Sequence, residues 1–378
     1  MGRIPVLLMV RELTQGGCER DLTRLALGFR ESELEPHVAC FRPGGIRYEE
    51  IVAAGVPVYS IGLESFRSLG ALGAARRLAA YARANHIQLL HAMDVPAACF
   101  ATPVCRLAGV PAILSCQLSY RSMYSGGERR LMGLADRLAD RVVSNCQAVL
   151  DDLTANYGVD ARKATLIYNG IELDRFHPPA SGHRDRSPLP EAFRDASLVI
   201  GSVCALRPEK RLDVLIEAFA GLRPAETGAR LVIVGGGPMA EPWKALARER
   251  GVAAFTHFEP STPQVEGWMR AMDVFVLASE LESFPNGLLE SMACGCAAVG
   301  SHVGGVPEMV GKAGLTFPVG DADALRQLFE RLAGSSVLRR NLGLEGAKRA
   351  TEQFSLERNL VRTREVYRET LKAKGVEV

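Results

Sequence analysis

Glu282-Ser283-Phe284-Pro285-Asn286-Gly287-Leu288-Leu289-Glu290-Ser291-Met292-Ala293-Cys294-Gly295 is the stretch on which the reading of this chain turns. Two carboxylates, Glu282 and Glu290, flank a Phe-Pro-Asn-Gly turn that runs straight into a short apolar helix. Asn286 is placed to cap that helix, and Gly287 leaves the backbone bare at its first position. The N–H groups of such a start have no partner inside the helix, so they favour a docking anion. Glu290, about one turn further on, would serve a phosphate poorly and a ribose or sugar hydroxyl well. Together these features point to a ligand that carries both phosphate and polyol, as a nucleotide sugar does. A capped helix with a buried leucine turn is the alternative, but Pro, Gly and two acids so close together make a poor core segment.

Length and composition set the frame. At ~100–200 residues per domain, 378 residues suggest two domains, each large enough to bury a core. A hydrophobic content of 47% with 23% charged residues is ordinary for globular chains and excludes disorder. A net charge of +2 argues against nucleic acid as the main partner. No apolar run approaches the ~20 residues that span a bilayer. Residues 3–10, RIPVLLMV, read as a buried strand rather than a signal peptide. The nine cysteines are odd in number and scattered, several within apolar runs where free Cys behaves as a small hydrophobe. Cys294-Gly295-Cys296 has no second Cys or His pair nearby, so no zinc site is expected. A reducing, cytoplasmic setting is expected.

Strand and helix signals alternate along the chain, which predicts parallel sheets covered on both faces. Strand-like runs fall at 4–10, 37–41, 56–61, 88–92, 111–116, 141–144 and 164–167. A second series follows at 198–203, 230–234, 254–258, 274–278, 297–300 and 314–317. Between the two lies PPASGHRDRSPLP, residues 178–190, with four prolines and no apolar period, which reads as a linker. Leu212, Leu215, Ile216 and Phe219 carry helical spacing. Residues 355–374 read as a long polar helix with Leu356, Leu360 and Val366 as its apolar side. The expected division is 1–177, a linker at 178–196, 197–354, and a terminal helix at 355–378.

Several landmarks now join into a resemblance. They are GGCER at 16–20, IYNGIELDRFHP at 167–178, LRPEKRLDVLIEAF at 206–219, IVGGGP at 233–238, DVFVLASELESFPNGLLESMACG at 273–295, and GGVPEMV at 304–310. Over essentially its whole length the chain resembles the retaining glycosyltransferases of the GT-B fold, family 4 (group 1) type. The resemblance implies two Rossmann-like domains facing a cleft, with the C-terminal helix crossing back to the N-terminal domain. It places the acceptor in the N-terminal domain and the nucleotide sugar in the C-terminal one. It implies Lys210 and Glu282 as the catalytic pair, and donor contacts from Gly16, Gly17, Arg207, Lys210, Phe284, Pro285, Asn286, Gly287, Leu288 and Glu290. No cofactor or metal is implied. The donor is a nucleoside diphosphate sugar, a UDP sugar first and a GDP sugar as the alternative. The partners are that donor and a glycan or lipid-linked acceptor.

Each landmark also has a reading from its own residues. Gly16 and Gly17 follow a strand and open a helix, a second anion-friendly start. Lys210 sits in Arg-Pro-Glu-Lys-Arg at a helix entry, where positive charge opposes the helix dipole unless a phosphate is present. The family's arginine five residues before this lysine is Ala205 here, and Arg207 stands nearby as a replacement. The family's histidine in the fifth strand is Gln117, which can bond a hydroxyl but cannot act as acid or base. His91 reads better as a structural histidine than as a cleft residue. Residues 121–141 carry five Arg against three acids, with Leu131, Leu134 and Leu138 on one face. That pattern fits contact with an anionic membrane surface or lipid-linked acceptor, and also fits a plain solvated helix. Gly235-Gly236-Gly237-Pro238-Met239-Ala240, with Glu259 about 20 residues on, formally matches a dinucleotide fingerprint, so a nicotinamide oxidoreductase is the rival reading. A GT-B epimerase is a second rival. Asp321-Ala322-Asp323 mimics a metal-binding D-x-D but sits at a helix start, where acids serve as caps.

Overall fold

The computed structural model describes residues 2–14, 16–64, 70–180 and 182–377. The chain forms two compact units, Met1–Gly170 with Leu356–Val378, and Ile171–Ser355.

The first unit holds seven parallel strands: β1 (Ile4–Val10), β2 (Leu34–Cys40), β3 (Val58–Ser60), β4 (Leu89–Ala92), β5 (Ala112–Cys116), β6 (Arg141–Ser144) and β7 (Ala164–Leu166), in the order β3-β2-β1-β4-β5-β6-β7. β1 shows why the sheet is buried on both faces. Val6, Leu8 and Val10 join one hydrophobic layer and Leu7 and Met9 the other, all fully buried. A continuous apolar run is what a doubly covered parallel strand requires. The terminal helix Leu356–Lys372 belongs to this unit. It docks through Val366, Tyr367 and Leu371 rather than chiefly through the expected leucines, because the tyrosine hydroxyl finds a buried partner in His91.

The second unit carries β8 (Leu198–Val203), β9 (Ala229–Val234), β10 (Thr256–Glu259), β11 (Val274–Leu277), β12 (Ala297–Ser301) and β13 (Gly314–Phe317), ordered β10-β9-β8-β11-β12-β13 and again all parallel. The helix Leu212–Gly221 buries Leu212, Leu215, Ile216 and Phe219 in its core, as their spacing predicts.

The chain passes between units at Gly170–Ile171 and Ser355–Leu356. The stretch read as a linker, 178–196, is instead a strap held within the second unit. Arg186 donates to Asp273 at 2.8 Å and Arg184 to the Cys294 carbonyl at 3.1 Å, while Leu189 and Phe193 are buried. Its prolines remove helical periodicity without freeing the chain, since side chains two to four residues apart anchor it.

Both sheets reverse strand order once, between β1 and β4 and between β8 and β11. In open parallel sheets ligands bind outside the carboxyl ends of the strands at such a switch point. Among the described residues no helix is long and apolar enough to cross a membrane.

Candidate functional site

Lys210 and Glu282 meet at the switch point of the second unit. β8 leads through Cys204–Arg207 into the 3₁₀ turn Pro208–Lys210 and then Arg211, whose φ of 46° ends the turn. β11 leads into the loop that carries Glu280 and Glu282. Lys210 Nζ donates to Glu282 Oε1 at 2.6 Å, with side chains 21% and 12% exposed. The two loops are stitched together by the Glu280 N–H donating to the Glu209 carbonyl at 2.9 Å, and by Arg211 with Glu280 at 3.6 Å. Cys204 lies alongside, its thiol pushed up to about 11 mainly by burial, so it is no nucleophile at neutral pH.

Glycines let the surrounding loops close on this pair. Gly304, at φ 52°, packs so near the Glu282 carbonyl that a Cβ there would overlap it, and the Gly305 N–H donates to Ser283 at 2.8 Å. A Cβ on Gly287 would sit 3.0 Å from the Val203 carbonyl. The 282–287 segment is therefore pinned between the ends of β8 and β12.

The helix of this segment runs Asn286–Ala293, which corrects two positions. Pro285 occupies the cap position, with φ −73° and ψ 111°, and Asn286 is already the first helical residue. Gly287 is the second. Proline's fixed φ suits the entry, and its carbonyl accepts the Leu288 N–H at 3.1 Å and the Leu289 N–H at 3.3 Å. The first-turn N–H of Gly287 is among those a helix leaves without an internal acceptor.

The remaining residues expected to contact a donor separate into two kinds. Arg207 is exposed and, among the described residues, pairs with no carboxylate. Glu290 is 4% exposed in the helix body. Phe284 is buried against Phe354, ring centroids 5.3 Å apart, and Leu288 is fully buried. These two can offer a ligand only backbone; their side chains anchor the loop in the core. Gly16 and Gly17 lie in the first unit, after β1 and at its switch point, opening the helix Gly17–Gly28. The Glu19 carboxylate folds back over that start, where a Cβ on Gly16 would overlap it.

The first unit's polar residues are mostly structural. His91 is buried between Tyr367, whose hydroxyl lies 2.6 Å from Nδ1, and Cys116, whose Sγ lies 3.0 Å from Nε2. Burial pulls its imidazole down to about 3, so it is neutral at all working pH values. Gln117 Nε2 donates to Asp136 at 3.1 Å, and Asp136 is ion-paired with Arg121, both nearly fully buried. Sequence reasoning missed this pair because Arg121 and Asp136 share a stretch that reads as an amphipathic surface. Asp94 was missed too: it caps the helix Val95–Ala108 through Ala97 at 2.7 Å and binds the Arg11 N–H at 2.8 Å. Its only signal is the Asp-Val-Pro start.

Both decoys resolve. Gly235 and Gly237, at φ 145° and 153°, press against the Cys204 and Leu206 carbonyls and serve loop packing. They follow β9, one strand away from the switch point. Asp321 caps the helix Ala322–Ala333 by accepting the Ala324 N–H at 2.8 Å, and Asp323 pairs with Arg326 at 3.4 Å.

Two Rossmann-like parallel-sheet units, each with its switch point, define the GT-B class of fold, and solved structures agree. The chain aligns with Anabaena HepE, solved with UDP, at TM-score 0.86 and 20% identity, covering 97% of this chain and all of that one. It aligns with sucrose-phosphate synthase of Thermosynechococcus elongatus at TM-score 0.82 and 18% identity, covering 98% and 100%. The family described as Glycosyl transferases group 1 matches residues 197–335, and Glycosyltransferase Family 4 matches residues 15–175. The chain belongs to the family 4, group 1 glycosyltransferases. Among curated relatives, a D-inositol 3-phosphate glycosyltransferase of Streptomyces bingchenggensis is 32% identical over 65% of this chain and 55% of its own length. The chain spans about half the length of the curated relatives it matches.

Proposed function

We propose that the protein transfers a sugar from a nucleoside diphosphate donor, a UDP sugar by preference, to a hydroxyl acceptor with retention of configuration and without a metal. The observation that carries this reading is the Lys210–Glu282 pair beside the Asn286–Gly287 helix start at the β8/β11 switch point. The donor's diphosphate would lie on the helix start and Lys210, with Arg207 in reach of solvent-facing oxygens. Glu282 would orient the donor sugar and Glu290 the ribose. As the bond between anomeric carbon and phosphate oxygen breaks, its electron pair goes to the diphosphate. Lys210 and the backbone N–H groups stabilise that charge, which is the work a metal does elsewhere. The acceptor oxygen bonds the anomeric carbon on the face the diphosphate leaves, and its proton passes to the departing phosphate oxygen. No carboxylate nucleophile is needed for this same-face route.

The helix Gly126–Leu138 supports a lipid-linked or membrane-proximal acceptor. Leu131 and Leu134 are 48% and 47% exposed on it, beside Arg129 and Arg130. Sedimentation with vesicles rich in anionic lipid tests this, and indifference to lipid charge would remove it.

A thermal-shift panel of UDP-, GDP- and ADP-sugars and NAD, in excess chelator, tests the main reading. Stabilisation by a nucleotide sugar is expected. Stabilisation by NAD alone, or only with added Mn²⁺ or Mg²⁺, would refute it.

A further inference from the structure

A second, strongly basic cavity lies at the opposite edge of the second unit's sheet. Its lining includes Asp273, which immediately precedes β11, and Gly295, two residues before β12. It therefore opens at the amino ends of the strands, whereas Lys210 and Glu282 lie beyond their carboxyl ends. The cavity measures about 260 Å³. Arg184 comes from the strap, and Arg339 and Arg340 from the second turn of the 19-residue helix Ser336–Phe354.

The charge balance of this cavity is unusual within the molecule. Its one lining carboxylate, Asp273, is already held by Arg186 at 2.8 Å and by the Val199 N–H at 2.8 Å. Among the described residues no carboxylate pairs with Arg184, Arg339 or Arg340, whereas the strap's Arg186 and nearby Arg175 each have one. Arg184 donates to the Cys294 and Gly295 carbonyls, and Arg339 to the Leu332 and Ala333 carbonyls. These carbonyls close the C-terminal ends of the helices Asn286–Ala293 and Ala322–Ala333, whose dipoles favour a cation there but supply no full negative charge. Two of the arginines also sit near a helix start, where their charge opposes the dipole.

The cavity floor is built rather than accidental. Gly343 packs against the Gly295 carbonyl so closely that a Cβ would overlap it, and Gly295 itself adopts φ 76°. Guanidinium groups match phosphate oxygens in two-pronged geometry. The volume falls below the ~300–1,000 Å³ of drug-sized ligand sites. Both considerations favour a small phosphorylated metabolite over a nucleotide.

We propose that Arg184, Arg339 and Arg340 form a binding site for a small phosphomonoester, separate from the donor site. It is independent of the transferase reading, because it shares no residue with it. The floor of the cavity is also the C-terminal end of the Asn286–Ala293 helix, whose start faces the opposite edge.

The test is isothermal titration of the full chain with glycerol 3-phosphate, inorganic phosphate and diphosphate, alone and with saturating UDP. One phosphomonoester per chain should bind with an affinity UDP does not change. Arg339→Gln with Arg340→Ala should weaken it roughly 10-fold or more, as loss of charged hydrogen bonds implies, while Lys210→Ala leaves it intact. Arg340→Ala alone, at an exposed side chain, keeps the test should the double variant not fold. Competition by UDP, loss in Lys210→Ala, equal binding by the arginine variants, or no binding would each overturn the proposal.

Discussion

Glu282→Ala and Lys210→Ala should act in opposite directions on nucleotide binding, because the two side chains neutralise each other. At 2.6 Å, with most of both side chains shielded, the pair is a charge-assisted hydrogen bond of about 1.5–3 kcal/mol net. A diphosphate reaching Lys210 competes with the Glu282 carboxylate for the same ammonium. Removing Glu282 removes the competitor, so UDP affinity should hold or tighten. Removing Lys210 deletes the cation and leaves a carboxylate beside the phosphates, so UDP should bind about 10–150-fold more weakly. Transfer should fall in both variants, in Glu282→Ala through kcat, since positive charge grows at the sugar as the glycosidic bond breaks. Glu290→Ala should instead raise the donor KM by a similar 1.5–3 kcal/mol with kcat kept, because a ribose is held equally in ground and transition states. Calorimetry with UDP and steady-state kinetics on the three variants decide this, with thermal unfolding to check that each folds. Equal loss of UDP affinity in Glu282→Ala and Lys210→Ala would refute the competition. No change in any variant would place the site elsewhere.

Acid should weaken the first unit through His91. Its folded value of about 3 lies below the unfolded 6.5, so the proton prefers the unfolded chain and stability is lost as pH falls from about 6.5 toward 3. The loss should reach about 2 kcal/mol at pH 5, and urea midpoints at pH 8 and 5 should differ far less in His91→Gln; an equal difference would exclude His91. Gly304→Ala should cut transfer at least about tenfold (~1.4 kcal/mol) by displacing the Glu282 loop. Gly251→Ala, with a similar φ of 71° but open space around it, should leave transfer unchanged and lower only thermal stability; parallel losses of transfer would mean backbone strain alone is responsible.

The alternation of strand and helix was fully legible. All thirteen strand-like runs correspond to strands, with ends shifted by three residues or fewer; the central strands, buried on both faces, must be apolar throughout, whereas the edge strands β3, β10 and β13 are only partly buried. The strap was not legible: nothing in PPASGHRDRSPLP shows that its arginines reach carbonyls and a carboxylate some 90–110 residues away. The helix start was legible to one residue. Asn is a good cap by propensity, yet Pro285 took the position, since proline at the entry fixes the chain direction before any side-chain bond is made. Phe284 and Leu288 matched the family motif but turn inward, because a loop held this tightly needs apolar anchors. The Arg121–Asp136 pair stayed hidden because charge pattern alone does not distinguish a buried pair from a solvated face.

The positions proposed to face an anion differ in what balances them within the chain. Lys210 has Glu282, and the Gly16 helix start has the Glu19 carboxylate folded over it. A shielded cation or a bare helix start is costly in a low-dielectric setting, so an internal acid that a ligand can displace keeps the empty state stable. Under the proposed reading, such an arrangement limits affinity, since the ligand must replace an existing contact, and would let the diphosphate leave once its sugar is transferred. The basic cavity at the other edge of the sheet has no such acid. Its guanidinium groups are wetter, so the cost of leaving them unpaired is smaller and water can serve in place of a carboxylate. The same chemistry thus predicts exchange by displacement at the proposed donor site and simple, salt-sensitive occupancy at the cavity. Raising ionic strength at constant pH should therefore weaken phosphomonoester binding more steeply than UDP binding.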